Sequence, residues 1–339
     1  MSIKKGLWVS LGLFILFLVA GMVFLLQPSG QVSNFQKWQY QTSKKTASTL
    51  MLKVKFFGVS TLLFDDGKTQ ILIDGFFSRP SLSQVLFQKI QSQPEVIRRI
   101  IQQQQLQRTQ VFLVTHSHYD HALDLAELGK QLPHTKIIGS NSTLNIARGG
   151  DVPEQQLMLV QPLHPLSFGE FKVTAIASQH TPPTAVNNDL GKEISHPLQQ
   201  PARFSAFKEG HSFDYLIEHS GQRILVKAST GAVPNQLKNL KVDTLFLGIA
   251  QLSRQSTEFQ QNYLDQTLKA LKPKVVVPIH WDNFFKPVDQ ALEFLPYLAD
   301  NTDESLKILI QAAEQQKVQV VLLSRPVSYP LDPALQSQP

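Results

Sequence analysis

Cysteine is absent from the 339-residue chain. This excludes disulfide bonds and thiolate ligands but leaves the cellular compartment open, because cysteine-free folds suit oxidising and reducing compartments alike. Any metal site must therefore be built from imidazole and carboxylate groups, which favour zinc first and manganese or iron second. Internal repeats are absent as well, and with 42% hydrophobic residues the chain can bury one large core.

Charge is absent from residues 7–26, an apolar run that follows Lys4 and Lys5. At about 1.5 Å per helical residue, this run is long enough to cross a bilayer. An Ala-x-Ala-like exit site is also absent, so a single-pass, uncleaved membrane anchor over residues 1–27 is predicted, with a cleaved signal peptide as the alternative. Because the positive charges precede the run, the domain that follows is expected to face the periplasm or the cell exterior.

No segment resembles a nucleic-acid-binding module, and the net charge of +6 is spread along the chain. Dispersed charge is ordinary on a protein surface, although affinity for anionic lipid is an alternative interpretation. The polar, Gln- and Ser-rich composition of residues 28–50 predicts a linker, followed by a single domain over 51–326 and a tail over 327–339. The amino-acid sequence leaves the oligomeric state open.

Short apolar runs bounded by turn residues predict strands, at 52–58, 61–64, 70–73, 111–115, 156–160, 171–177, 213–219, 223–226, 244–247 and 275–278. Helices are predicted over 81–105 and 122–132, the second ended by Pro133. Hairpins that alternate with helices in this way predict an α+β fold with two sheets inside and helices outside.

The strongest chemical signal is the segment His-Ser-His-Tyr-Asp-His, from His116 to His121, directly after a predicted strand. His116 and His118 are two residues apart, so on extended backbone their rings point to the same side. Asp120 and His121 lie where the chain turns into a helix and can address a second point in space. The spacing therefore predicts a loop that serves two neighbouring metal ions.

Further candidate ligands follow other predicted strands. His180 comes after residues 171–177, His280 after 274–278, and Asp74 after 70–73. Ligands and catalytic groups in open sheets gather on loops beyond the carboxyl ends of strands. A lone histidine is more often an ordinary surface or core residue, but four strand ends that each carry such a residue indicate one shared site.

These motifs resemble those of the metallo-β-lactamase superfamily, through Ile-Leu-Ile-Asp74-Gly, the histidine loop, Ser-Gln-His180-Thr and Pro-Ile-His280-Trp-Asp. The resemblance implies a four-layer αβ/βα sandwich. It implies that one ion is bound by His116, His118 and His180, that the other is bound by Asp120, His121 and His280, and that Asp74 braces the histidine loop. Residues 77–80 and Trp281 look most like the branch with L-ascorbate-6-phosphate lactonase and N-acylphosphatidylethanolamine-hydrolysing phospholipase D.

One position departs from the family pattern. Members with the full motif set place a bridging aspartate where this chain has Ser229. A neutral hydroxyl is a poor bridge, so the resemblance implies a more positive site and a weaker second ion. Lys227, two residues earlier on the same strand face, adds to that charge in one interpretation and is a solvated strand-end lysine in the other.

The resemblance implies a metal-dependent hydrolase that uses a metal-bound hydroxide on an ester, lactone or phosphodiester, with Asp120 both as a ligand and as the group that orients the nucleophile. The substrate is expected to be a small molecule or a lipid. Residues such as Arg203, on the irregular stretch 181–210, are expected to bind its anionic groups. Trp281, Phe284 and Phe285 are candidates for an acyl-binding wall or for core packing. A non-catalytic metal-binding protein that retains the fold is the alternative.

Overall fold

The computed structural model describes residues 3–40, 52–184 and 188–331, without the side chains of 3–7 and 9. Its centre is a pair of seven-stranded sheets that pack face to face. In each sheet, one half is antiparallel and the other half is parallel. This architecture confirms the predicted four-layer αβ/βα sandwich.

The strands, in chain order, are β1 (Lys53–Phe56), β2 (Leu62–Asp65), β3 (Gln70–Ile73), β4 (Thr109–Leu113), β5 (Lys136–Gly139), β6 (Leu157–Leu159), β7 (Leu166–Phe168), β8 (Phe171–Ser178), β9 (Ser212–His219), β10 (Gln222–Lys227), β11 (Thr244–Gly248), β12 (Val275–Ile279), β13 (Gln319–Val320) and β14 (Ser328–Pro330). The first sheet has the order β14-β1-β2-β3-β4-β5-β6, and the second has the order β13-β12-β11-β10-β9-β8-β7. The last strand thus returns to the first sheet, where it pairs antiparallel with β1.

The helices, in chain order, are α1 (Ile3–Leu26), α2 (Leu82–Phe87), α3 (Pro94–Gln104), α4 (Tyr119–Ala122), α5 (Leu125–Gln131), α6 (Asn141–Gly149), α7 (Thr257–Leu264) and α8 (Thr302–Gln315). The predicted helix over 81–105 is wrong as one element, because the chain breaks between α2 and α3. Pro94 is the first residue of α3, a position where its missing N–H is harmless, whereas inside a longer helix it would remove a hydrogen bond.

Alternation along the strands sorts side chains between the layers. In β3, Ile71 and Ile73 belong to the core between the two sheets, and Leu72 belongs to a second core. That second core lies between the first sheet and α3, α5 and α6, which contribute residues such as Ile97, Leu128 and Ile146. Buried side chains of α7 and α8 pack in the same hydrophobic cluster as the strands of the second sheet. Each sheet is therefore buried on both sides, as its mostly apolar strands require.

The segment that joins α1 to the domain is packed rather than extended into solvent. Phe35 is 3% exposed and packs edge-on against Phe294, with ring centroids 5.7 Å apart. The hydroxyl of Ser29 accepts a hydrogen bond from the backbone N–H of Thr302 at 3.0 Å. Residues 28–40 of the predicted linker thus contact the domain, whereas residues 41–50 lie outside the described residues.

No helix, among those residues whose side chains are described, is both long enough and apolar enough for a membrane crossing. The membrane anchor predicted over residues 1–27, and the orientation inferred from it, stay predictions.

The topology brings several loops to one edge of the sandwich. Strands β3 and β4 are parallel neighbours, so the loops that begin at Asp74 and at Val114 emerge side by side. In the second sheet, β8, β10 and β12 all run in one direction, and their carboxyl ends lead to His180, Ser229 and His280. All candidate ligands therefore lie at the same edge.

Candidate metal centre

The six predicted ligands come together in two groups of three. In each group, one ligand atom per residue lies within 4.8 Å of the others, and the groups are His116, His118 and His180, and Asp120, His121 and His280. The ring centroids of His116 and His121 are 3.8 Å apart, so the two groups are directly adjacent. The loop after β4 supplies both groups, since His116 and His118 precede α4 whereas Asp120 and His121 lie on its single turn.

Asp74 braces the histidine loop, as the resemblance implies. Its carboxylate accepts the backbone N–H of Thr115 at 2.7 Å, accepts the Ser60 hydroxyl, and lies 2.8 Å from Nδ1 of His121. The backbone of Asp74 is left-handed, with φ of 57°. With Nδ1 held by this carboxylate, the Nε2 atom of His121 is left for the site.

His180 and His118 are oriented in the same manner. Nδ1 of His180 donates to the backbone carbonyl of Thr181 at 2.9 Å. Nε2 of His118 lies 3.1 Å from a carboxylate oxygen of Asp189. Asp189 was missed at the sequence level because it lies on the aperiodic stretch 181–210, and no spacing relates it to His118.

The donor set fits divalent metal ions. The buried Nε2 atoms of His116 and His121 have no hydrogen-bond partner in the described part of the chain. A buried imidazole nitrogen without a partner is costly unless it binds a cation. Five imidazoles and one carboxylate, in two groups of three, suit zinc well and manganese or iron less well.

Burial keeps two of the ligand histidines in the neutral form that binds metal. Burial, followed by the neighbouring imidazole of His121, holds the pKa of His116 well below its ordinary value. Burial and His118 lower the pKa of His180 to about 3. These histidines are therefore neutral near pH 7, which is the form that binds metal.

Asp120, in contrast to these histidines, is kept in its charged form. Burial alone raises its pKa, but the imidazoles of His121, His280 and His118 outweigh burial and hold the pKa well below the ordinary value. Its Oδ2 atom lies 3.7 Å from Nε2 of His121 and 3.4 Å from Nε2 of His280. The second group therefore contains an ionised carboxylate between two imidazoles.

A buried ion pair supports the loop of His280. Arg79 contacts Asp282 at 3.0 Å, and Arg79 also donates to the carbonyl of Phe57. The other oxygen of Asp282 accepts the backbone N–H of Val59 at 2.5 Å, while the carbonyl of Val59 accepts the N–H of His280 at 2.6 Å. The left-handed backbone of His280, with φ of 58°, is thereby fixed.

The loop after β10 lies beside His180. The N–H of Thr230 donates to the Thr181 hydroxyl at 3.0 Å, and a Cβ added to Gly231 would lie 2.3 Å from the carbonyl of His180. Ser229 occupies this loop and is 6% exposed. The loop is thus close to His180 of the first ligand group.

Lys227 is buried, so the interpretation as a solvated strand-end lysine is wrong. Its Nζ atom lies 2.8 Å from the hydroxyl of Ser178 and 3.2 Å from a carboxylate oxygen of Asp214. Because Asp214 is buried beside it, the positive charge of Lys227 is largely offset locally. Lys227 thus links β10, which leads to Ser229, to Asp214 on β9 and to Ser178 at the end of β8, which leads to His180.

Two pairs of half-buried aromatic side chains include a neighbour of the second ligand group, since Phe284 contacts His280 and Tyr119 precedes Asp120 in the chain. Tyr119 packs edge-on against Phe204, at 6.3 Å between ring centroids, and Phe284 packs against His280 at 5.7 Å and against Phe285 at 4.6 Å. Arg203, next to Phe204, is exposed. Trp281 is fully buried in the core, so core packing is the correct one of its two interpretations.

Comparisons with known proteins agree with this geometry. The model of the beta-lactamase superfamily domain matches residues 69–281. A UPF0173 metal-dependent hydrolase from Heliobacterium modesticaldum is 22% identical over 263 residues, which cover 76% of this chain and 94% of that protein.

Solved structures share the fold. The metallo-beta-lactamase fold protein YhfI from Bacillus subtilis matches 82% of this chain and 99% of its own, with 13% identity and a TM-score of 0.51. CmlA, a diiron beta-hydroxylase from Streptomyces venezuelae, matches 83% of this chain and 54% of its own, with 15% identity and a TM-score of 0.51. At these identities the likeness concerns the fold alone.

Proposed function

Because this chain belongs to the metallo-β-lactamase superfamily and is a metal-dependent hydrolase of it, we propose that it cleaves an ester, lactone or phosphodiester bond in an anionic substrate with an apolar portion. The observation that carries the proposal is the pair of complete ligand groups beside a half-buried aromatic surface. We propose two ions, mainly zinc, since both groups consist of nitrogen and oxygen donors.

When bound, the ions supply Lewis acidity toward the attacked carbonyl or phosphoryl oxygen and lower the pKa of a water molecule. Asp120 serves as the group that accepts a hydrogen bond from the attacking water and orients it, because its carboxylate stays ionised between His121 and His280. Tyr119 remains protonated, since burial and then the charge of Asp120 raise its pKa well above the ordinary value.

Substrate recognition is assigned to the aromatic surface and to Arg203. Tyr119, Phe204, Phe284 and Phe285 offer apolar area to an acyl or aryl group. Arg203 extends from the same segment as Phe204 and can bind a carboxylate or a phosphate. This combination supports the finer resemblance to the lactonase and phospholipase D branch, which we keep as a proposal. It also favours a hydrolase over a non-catalytic binding protein.

The test is a panel of neutral and anionic esters, lactones and phosphodiesters, assayed with the zinc-loaded protein and again after chelation. We expect His116→Ala to abolish turnover and to remove about one equivalent of metal. His164→Ala is the matched control, since the His164 side chain is exposed and its ring contacts the carbonyl of Pro162, and it should leave both unchanged. Turnover that survives chelation would contradict the proposal.

A further inference from the structure

Residues 188–211, here called the cover segment, pack over the metal loop. The carbonyl of Glu209 accepts the backbone N–H of Ser117 at 2.9 Å. On its other side the N–H of Ile194 donates to the hydroxyl of Ser142 at 2.8 Å, and the N–H of Leu198 donates to the carbonyl of Asn145 at 2.9 Å. The cover segment is therefore hydrogen-bonded both to the ligand loop and to α6.

Asp189 is the point at which the cover segment meets a ligand side chain. One of its carboxylate oxygens lies 3.1 Å from Nε2 of His118, and the other accepts the N–H of Glu209 at 3.3 Å. Glu209 in turn accepts the N–H of Gly191 and the hydroxyl of Ser212, each at 2.8 Å. The Asp189 side chain, 12% exposed, is thus held in place by the segment itself.

The contact decides which nitrogen of His118 can bind metal. A carboxylate accepts a hydrogen bond from a protonated ring nitrogen, so Nε2 carries the hydrogen and Nδ1 keeps its lone pair. Asp74 does the same for His121 from the body of the domain, and the Thr181 carbonyl does it for His180. Within the described residues, His118 is the ligand whose orienting carboxylate comes from the cover segment.

We propose that Asp189 is a positioning residue for His118 and that it couples metal binding at His116, His118 and His180 to the packed state of the cover segment. A bound cation polarises the imidazole and strengthens its hydrogen bond to the carboxylate. The packed segment then favours the metal, and the metal favours the packed segment to the same extent, because coupling between two equilibria is reciprocal. The inference rests on the metal binding assumed in the proposed function, and not on any particular substrate.

The first experiment measures zinc affinity and the visible spectrum of the cobalt-substituted protein. Asp189→Asn keeps the side-chain size and removes the charge, so we expect affinity for one of the two ions to fall by roughly 10- to 100-fold and the cobalt bands to change. Asp189→Glu restores the carboxylate and should recover part of the affinity. Glu193→Gln is the matched control on the same segment, since Glu193 pairs with His211 on the exposed surface.

The second experiment uses the unmodified chain. Zinc should slow tryptic cleavage after Lys192 and Lys208, which lie on the cover segment, but not after the exposed Lys68 at the β2–β3 turn. In Asp189→Asn this protection should be lost. Unchanged zinc affinity and cobalt spectrum in Asp189→Asn would overturn the positioning role, and wild-type cleavage that is insensitive to zinc would overturn the coupling. Neither result depends on turnover, so failure of the substrate panel alone leaves this inference standing.

Discussion

The ion pair of Arg79 and Asp282 gives the sharpest prediction for stability. Both side chains are fully buried, at 1% and 0% exposure, and their charged atoms are 3.0 Å apart. Removal of one partner from a buried pair leaves an uncompensated charge in the protein interior. Asp282→Ala should therefore destabilise the domain strongly, since it also removes the acceptor for the N–H of Val59.

The expected loss in the free energy of unfolding is about 3–5 kcal/mol. In a domain of this size, each kcal/mol corresponds to roughly 2–4 °C in Tm, so Tm should fall by about 6–20 °C. The double variant Arg79→Met with Asp282→Ala removes both charges and should lose less than Asp282→Ala alone, because no isolated charge remains.

The assay is equilibrium unfolding in urea together with thermal unfolding, with a chelator present so that zinc binding does not contribute. Asp289→Ala is a suitable control, because Asp289 pairs with Arg99 on the exposed surface, at 3.3 Å. It should cost less than about 1 kcal/mol. A loss below about 1 kcal/mol for Asp282→Ala, or a double variant less stable than the single one, would refute the reasoning.

Two further predictions concern the metal site and the pH dependence of stability. Ser229→Asp should raise the affinity for the second ion by about tenfold or more, as measured by zinc titration. It should also reduce the preference for anionic over neutral substrates, as measured by kcat/KM. Unchanged values would mean that Ser229 does not occupy the bridging position. Burial raises the pKa of Asp65, but two hydrogen bonds from Arg108, at 2.8 and 2.7 Å, together with Gln70 and Gly67, leave it below the ordinary 3.8. The ionised carboxylate therefore stabilises the fold, fully above pH 3.8 and progressively less as pH falls through the lower folded value. Arg108→Met should cost about 0.5–1 kcal/mol near pH 7, and the difference from wild type should shrink in acid unfolding experiments; a difference that stays constant with pH would contradict this account.

Strands were predictable where apolar runs end in turn residues. β3 matches its predicted bounds, and β12 extends one residue beyond its prediction. β14 was not predicted, because three residues carry too little periodicity and their partner, β1, lies far away in the chain. The predicted helix over 81–105 contained Pro94. The apolar pattern did not show that the chain leaves the helical conformation before this residue and begins a new helix at it.

The ligands were predictable because each follows a strand end directly, so the sheet topology alone brings them together. Asp189 was not, since it reaches His118 across 71 residues through a loop without periodicity. Lys227 and Trp281 each had two interpretations open at the sequence level, for a related reason. A charged or aromatic residue at a strand end has no local signal for its partner, and here burial against Asp214 and against Phe294 decided its role.

The metal content of the purified protein tests the central claim most directly. Elemental analysis should find close to two equivalents per chain, mainly zinc, because two complete groups of three ligands are present. His116→Ala should reduce this content by about one equivalent. Protein that contains no metal after exposure to zinc, yet cleaves its substrate at an undiminished rate, would contradict the account.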